Sequence, residues 1–183
     1  TPDRIAVVDD NSDNVLSYSA LIAEIESMAA GFAAAGISPG DRVATALPNF
    51  LEHAVAILAL HRLGTVVCLI NPRLKPEEAA ALMADAAAVA AVCMADAAIV
   101  AAAQGALPTG APVFTYGGIT ADTRDLAVCR GDGGSLPGWK TPAADALAFV
   151  MYTSGTTGLP KGVMLPHGAT DARVISTPVQ CGM

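Results

Sequence analysis

The sequence predicts an α/β fold, a layered alternation of strands and helices around a largely parallel sheet. Strand-length apolar runs alternate with segments of helical spacing through about residue 115. The run Thr65-Val66-Val67-Cys68-Leu69-Ile70 carries no charge at any position, which suits a strand covered on both faces. Gly36 and Gly64 stand where two of the helical patterns stop, supplying the left-handed conformation that ends a helix.

The elements follow in order. Ile5-Ala6-Val7-Val8 reads as a strand, ended by the turn-formers Asp9-Asp10-Asn11-Ser12. After Val15-Leu16, Ser17 is placed to cap a helix on which Leu21, Ile25, Met28 and Phe32 recur at helical spacing. Pro39-Gly40-Asp41 turns the chain into a strand from Arg42 to Leu47. A second helix is expected from Phe50 to Leu63, with Ala54, Ile57, Leu58 and His61 on related faces. Beyond the loop Asn71-Pro72-Arg73, Pro76-Glu77-Glu78 opens a third helix at its first turn. Val89 to Cys93 is the next strand. Glu24, Glu26, Glu77 and Glu78 are expected on solvated helix faces, and Arg73 is expected to act as a turn residue.

From Tyr116 to Pro142 the pattern dissolves into a loop-rich excursion containing Gly117, Gly118, Gly131, Gly133, Gly134, Pro137 and Gly138. Trp139, the single tryptophan, falls in it without an assignable place. Order returns with the strand Leu147 to Tyr152. Residues 1–115 thus form the α/β layers, 116–142 the excursion, and 147–167 a strand, a loop and a returning strand.

Composition excludes several classes. A chain of 183 residues that is 53% hydrophobic can bury a sizeable core. Its formal net charge is −7 and its ten Lys and Arg residues are scattered, so no basic stripe exists for nucleic acid. Cys68, Cys93, Cys129 and Cys181 form no close pairs, which argues against a disulfide framework or a zinc site and for idle thiols in a reducing cytoplasm. Thr1-Pro2-Asp3-Arg4 lacks the basic-then-apolar layout of a signal peptide. The apolar stretch Ala79 to Ala103 is broken by Asp85 and Asp96 and reads as helix, strand and helix rather than a membrane span. His53 and His61 have no carboxylate or cysteine at ligand spacing and are expected to be packing or surface residues.

The chemistry concentrates in Thr153-Ser154-Gly155-Thr156-Thr157-Gly158-Leu159-Pro160-Lys161-Gly162. These ten residues hold four hydroxyls, three glycines and one of only three lysines in the chain. Glycines let backbone N–H groups approach an anion, hydroxyls add donors, and the lysine adds a point charge. This is the composition of a phosphate cradle. It is not a Walker A loop: counted from Gly155, the second required glycine falls on Pro160, and Gly162 follows the lysine where Ser or Thr is needed. Nor does it open a helix, because Gly162-Val163-Met164-Leu165 reads as a returning strand.

Tyr152 to Gly162 resembles the phosphate-loop signature of the adenylate-forming superfamily, which includes acyl-CoA synthetases, 4-coumarate–CoA ligases, luciferases and the adenylation domains of peptide synthetases. Leu16-Ser17-Tyr18, Gly40-Asp41-Arg42-Val43-Ala44, Leu47-Pro48-Asn49, Gly64 with Val66-Val67, and Asn71-Pro72-Arg73-Leu74 are similar to further landmarks in the same order. The resemblance spans roughly 3–167, apart from the excursion. The run Leu165-Pro166-His167-Gly168 departs from it, since members often have Ser or Thr before a His-Arg pair there.

The resemblance implies a fold, the first part of the large N-terminal domain of such an enzyme, and a reaction. A carboxylate attacks the α-phosphate of Mg-ATP, pyrophosphate leaves, and the acyl-adenylate passes its acyl group to CoA. Thr153, Ser154, Thr156 and Thr157 would supply hydroxyls to the phosphates, Gly155 and Gly158 close backbone approach, and Lys161 charge for the departing pyrophosphate. Thr153 would also help hold Mg²⁺, and His167 is a candidate for lining the nucleotide pocket. A peptide-synthetase adenylation domain and a short non-catalytic nucleotide-binding module are the alternatives. The acyl pocket, the Mg²⁺ glutamate, the ribose aspartate and the mobile C-terminal domain of the family have no counterpart here. The chain is therefore expected to be a piece trimmed at both ends of a longer acid–thiol ligase, with no catalytic residue assigned within it. The purified 183-residue chain is expected to form no acyl-adenylate from ATP and carboxylic acids, which a radiolabelled pyrophosphate assay on that chain checks.

Overall fold

The computed structural model describes residues 1–9, 14–120, 122–133, 136–138, 140–153 and 160–173. Two strands, β1 (Ile5–Asp9) and β2 (Asn14–Ser17), pair antiparallel in a small sheet of their own. Val15 and Leu16, read above only as a lead-in to a helix, are therefore half of a hairpin.

Ser17 then caps α1 (Tyr18–Ala34), its side chain accepting from the Ala20 N–H at 3.2 Å. The helix stops at Gly36, which has φ +97°. The remaining elements alternate: β3 (Arg42–Ala46), α2 (Leu51–Arg62), β4 (Val66–Leu69), α3 (Pro76–Asp85), β5 (Ala90–Met94), α4 (Ala97–Ala106) and β6 (Val113–Tyr116). A two-residue strand β7 (Arg124–Asp125), a 3-10 turn at Leu126–Val128, β8 (Leu147–Thr153) and β9 (Lys161–Pro166) complete the series. Residues 167–173 are helical.

The main sheet has seven strands in the order β7-β6-β5-β3-β4-β8-β9. Every neighbouring pair is parallel except β8 and β9. Parallel neighbours need crossovers; here α2, α3 and α4 provide three of them, and with α1 the helices cover both faces. Side chains alternate between the faces with a period of two. Val43, Val67 and Val92 pack with Ile25, Met28 and Phe32 of α1 and with Val55, Ala59 and Leu60 of α2. Ala44, Ala46, Ala91 and Cys93 pack instead with Ala79, Leu82 and Met83 of α3 and with Val100 and Ala103 of α4. The many alanines thus have a physical role: one face of the sheet is built from small side chains, against helices that also present alanine.

Three expectations change. The buried face of α2 is His53, Val55, Ala56, Ala59 and Leu60, whereas Ala54 and Leu58 are exposed. Of the expected stripe, Ile57 and His61 are half-buried, because in a helix this apolar periodicity alone does not say which residues meet the sheet. Secondly, Glu24 and Glu26 are not simply solvated. Arg62 Nε donates to Glu26 Oε1 at 2.9 Å, and Arg130 Nη2 donates to Glu24 Oε2 at 2.9 Å. Glu78 is exposed, but its carboxylate accepts the Lys75 N–H at 3.0 Å and so caps α3.

The third concerns the excursion, which lies across α1. The Gly131 N–H donates to the Ser27 carbonyl at 2.9 Å, and Arg62 Nη2 donates to the Pro137 carbonyl. A Cβ on Gly31 would lie 2.7 Å from the Cys129 carbonyl carbon, and one on Gly131 would lie 2.9 Å from Ala30. Glycine inside a helix normally costs about 1 kcal/mol relative to alanine. At Gly31 the backbone collision outweighs that, so the missing side chain is what allows the strap to seat. Leu126, fully buried in the α1–α2 core, anchors its start.

The Arg62–Glu26 pair joins α2, α1 and this strap in one place. Its side chains retain 7% and 20% of their exposure, so removing one partner strands a largely desolvated charge. Arg62→Met is expected to destabilise the protein by about 3 kcal/mol. Adding Glu26→Leu is expected to restore most of that loss, with both read from denaturant unfolding curves.

Candidate functional site

The two strands that flank the candidate phosphate loop form a hairpin in register. Thr153 is opposite Lys161, Tyr152 opposite Gly162, Met151 opposite Val163 and Phe149 opposite Leu165. Ser154, Gly155, Thr156, Thr157 and Gly158 lie outside the described residues, so of the proposed phosphate ligands only Thr153 and Lys161 are located. Both are exposed, and they face each other across the last rung before the connecting segment.

Strand alternation puts Thr153 and Lys161 on the face of Phe149, Met151 and Leu165. Those three side chains line a cavity of about 370 Å³ with Leu69, Ala169, Thr170 and Arg173. A rung with one hydroxyl and one ammonium therefore sits on the same sheet face as an apolar hollow.

The residues beneath the hairpin are packed, as expected for the histidines. His61 stacks edge-on against Phe149 at 4.6 Å and His167 at 5.3 Å, and its Nε2 donates to the Ala148 carbonyl at 3.1 Å. His53 is held by the Pro48 carbonyl at Nδ1 and by Thr45 Oγ1 at Nε2, each at 3.1 Å. A proton on Nδ1 satisfies the carbonyl and leaves Nε2 to accept from the threonine hydroxyl. Burial pushes both imidazoles below the ordinary histidine value, and for His61 the neighbouring His167 adds to the effect. His167 is half-buried against His61, with its backbone N–H donating to the Ala146 carbonyl. Arg73 is exposed, and its N–H donates to Asn71 Oδ1 within the turn. Trp139 lies outside the described residues.

The unusual Leu165-Pro166-His167-Gly168 run has a steric reason. The Gly168 N–H donates to the Ala144 carbonyl at 2.8 Å, and a Cβ there would lie 2.9 Å from that same oxygen. The three described thiols are held in their protonated form. Burial raises Cys68 and Cys129 to about 11 and Cys93 to about 12, and all three are free. Among the described residues no three His, Cys, Asp or Glu side chains group as metal ligands, and no helix is long and apolar enough to cross a membrane.

Residues 1–181 match the family of AMP-binding enzymes. The chain belongs to that family. Among relatives, 4-chlorobenzoate–CoA ligase of Arthrobacter sp is 38% identical over 183 residues, covering 100% of this chain and 34% of the ligase. 4-Coumarate–CoA ligase 5 of Oryza sativa subsp. japonica is 38% identical over 165 residues, covering 90% of this chain and 30% of that one. The structure of o-succinylbenzoate CoA synthetase from Bacillus subtilis in complex with an acyl-adenylate intermediate superposes with a TM-score of 0.78 at 25% identity. It covers 100% of this chain and 44% of that chain. The chain spans about a third of the length of the curated relatives it matches. The mostly parallel α/β sheet agrees with the fold expected of the family.

The histidines give the fold a pH dependence with a definite sign. Their folded values lie below 6.5, so the unfolded chain takes up protons first as pH falls. Stability from these groups is fully present above about pH 6.5 and is lost below it, at no more than about 1.4 kcal/mol per pH unit for each histidine. The melting temperature is expected to fall from pH 7.5 to 5.5, and His61→Gln, which still donates to Ala148, is expected to flatten the slope.

Proposed function

We propose that the chain is the opening part of the large N-terminal domain of an ATP-dependent carboxylate–CoA ligase, an acyl-CoA synthetase. The observation that supports this most is the Thr153–Lys161 rung, which brackets a segment with the glycine and hydroxyl pattern of a phosphate cradle. An ammonium and a hydroxyl held opposite each other at the mouth of a hairpin suit the terminal phosphates of ATP. In this reading Lys161 balances the charge of departing pyrophosphate, while Thr153, Ser154, Thr156 and Thr157 donate to phosphate oxygens. Gly155 and Gly158 keep the backbone close to them.

Mg²⁺ fits the donor chemistry. It prefers hard oxygen ligands and binds mainly through substrate phosphates and water, so a single threonine hydroxyl from Thr153 suffices on the protein side. The protein's contribution to such a displacement is positioning and charge neutralisation. CoA as acyl acceptor is supported by the ligases that share 38% identity with this chain. Aromatic or fatty carboxylic acids are the substrate class, and the cytoplasm is the compartment, in keeping with the free thiols Cys68, Cys93 and Cys129.

The test is carboxylate-dependent ATP–pyrophosphate exchange by the full-length ligase, with a panel of aromatic and fatty acids. Lys161→Ala and Thr156→Ala are each expected to lower exchange about 100-fold or more, the scale seen when a transition-state charge loses its donor. Exchange by the wild-type protein with none of the acids, despite measurable ATP binding, would instead support a non-catalytic nucleotide-binding module.

A further inference from the structure

Tyr152 lies one residue before Thr153 and faces the other way. Its ring is half-buried on the α3 side of the sheet, packed with Val66, Cys68, Ala86 and Val150. Its hydroxyl reaches the last turn of α3, lying 2.7 Å from Asp85 Oδ2 and 3.1 Å from the Leu82 carbonyl, with one proton shared between two acceptors. That turn is itself tied to the sheet, because Arg42 Nη1 donates to the Ala86 carbonyl at 3.0 Å.

Across the hairpin, Gly162 covers the same ring. A Cβ there would lie 3.2 Å from Val150 Cγ1 and 3.4 Å from Tyr152 Cε1, so the strand that leaves the loop seats closely on the tyrosine, and a side chain at 162 would have to push Val150 aside by a few tenths of an ångström. Neighbouring residues on a strand point to opposite faces. Holding the Tyr152 hydroxyl against α3 therefore fixes the roll of β8 and the direction of Thr153, and through the rung it fixes Lys161 on β9.

We propose that Tyr152 is a positioning residue, linked through Asp85 to α3 and through Gly162 to β9, which aims Thr153 and Lys161 at the phosphates of ATP. The inference rests on the ligase reading given above, since it presumes that these two side chains meet ATP. Burial and the Asp85 carboxylate both raise the tyrosine above the ordinary phenol value, which keeps the hydroxyl a donor throughout the working range of pH.

The full-length enzyme provides the test. Tyr152→Phe keeps the ring and removes only the hydroxyl. It is expected to raise the KM for ATP in pyrophosphate exchange about 5- to 10-fold, while the KM for the carboxylate changes less than about twofold. Asp85→Leu is expected to match it. Asp85→Asn, whose amide oxygen still accepts, is expected to return the KM to within about twofold of wild type, and the double variant Tyr152→Phe/Asp85→Leu to be no worse than either single change. Calorimetric titration with MgATP alone is expected to show the same loss of affinity, without any acid or turnover. An unchanged KM for ATP and unchanged MgATP affinity in Tyr152→Phe would overturn the proposal. So would a melting temperature that falls together with every kinetic parameter in equal proportion, since that is a general fold defect. If wild type gave no exchange with any acid, the ligase reading would fall and the MgATP titrations alone would decide the link.

Discussion

Strand β3 lies between β5 and β4, with parallel hydrogen-bonded partners on both sides, and Val43 and Ala44 at its centre are completely buried. Parallel strands cannot be joined by tight turns, so a central parallel strand obliges the chain to leave the sheet and return through a crossover each time. That obligation puts α1 and α2 on one face and α3 and α4 on the other. The rest follows from filling the two faces. Valine and phenylalanine meet α1 and α2, alanine and cysteine meet α3 and α4, and the alternation along each strand sorts the two sets. β8 joins this arrangement at its edge, beside β4, and inherits the same two faces.

The position of the candidate site is a consequence. On β8 one face presents Phe149, Met151 and Thr153 and the other presents Val150 and Tyr152. The first set borders the apolar hollow and carries the polar rung. The second is anchored to α3. A single strand thus separates the residues proposed to meet ATP from those that hold them, and β9 repeats the division with Lys161 on one side and Gly162 on the other.

The excursion after β6 shows how little composition reveals about a loop that packs. Its glycines look like those of a flexible connector, yet Gly131 and Gly133 abut Ala30 and Glu26 of α1 at distances no Cβ could occupy. Gly31 returns the contact from the helix side. The two ion pairs, Arg62–Glu26 and Arg130–Glu24, bridge 36 and 106 residues of sequence, and no periodicity in either segment announces them. Like the phase of the α2 stripe, they depend on which surfaces meet, a property of the assembled layers.

Local chemistry was legible because it acts over a few residues. The Ser17 cap, the stops at Gly36 and Gly64, the proline-led start of α3 and the apolar strand of β4 each follow from short-range sterics and hydrogen bonding, and each is where residue type placed it. The order of hydroxyls, glycines and lysine from Thr153 to Gly162 is likewise contiguous in the chain, and it is one of the motifs on which the family resemblance rests. The sequence by itself therefore determined the α/β class, most of the helices and main-sheet strands, and the membership in the AMP-binding enzymes. Tertiary structure decided what distance along the chain conceals: the partner of each strand, the face each helix buries, the seating of the strap on α1, and the tie from Tyr152 to Asp85. Those outcomes arise from side chains tens of residues apart competing to fill the same space, and that competition is resolved only when the layers pack.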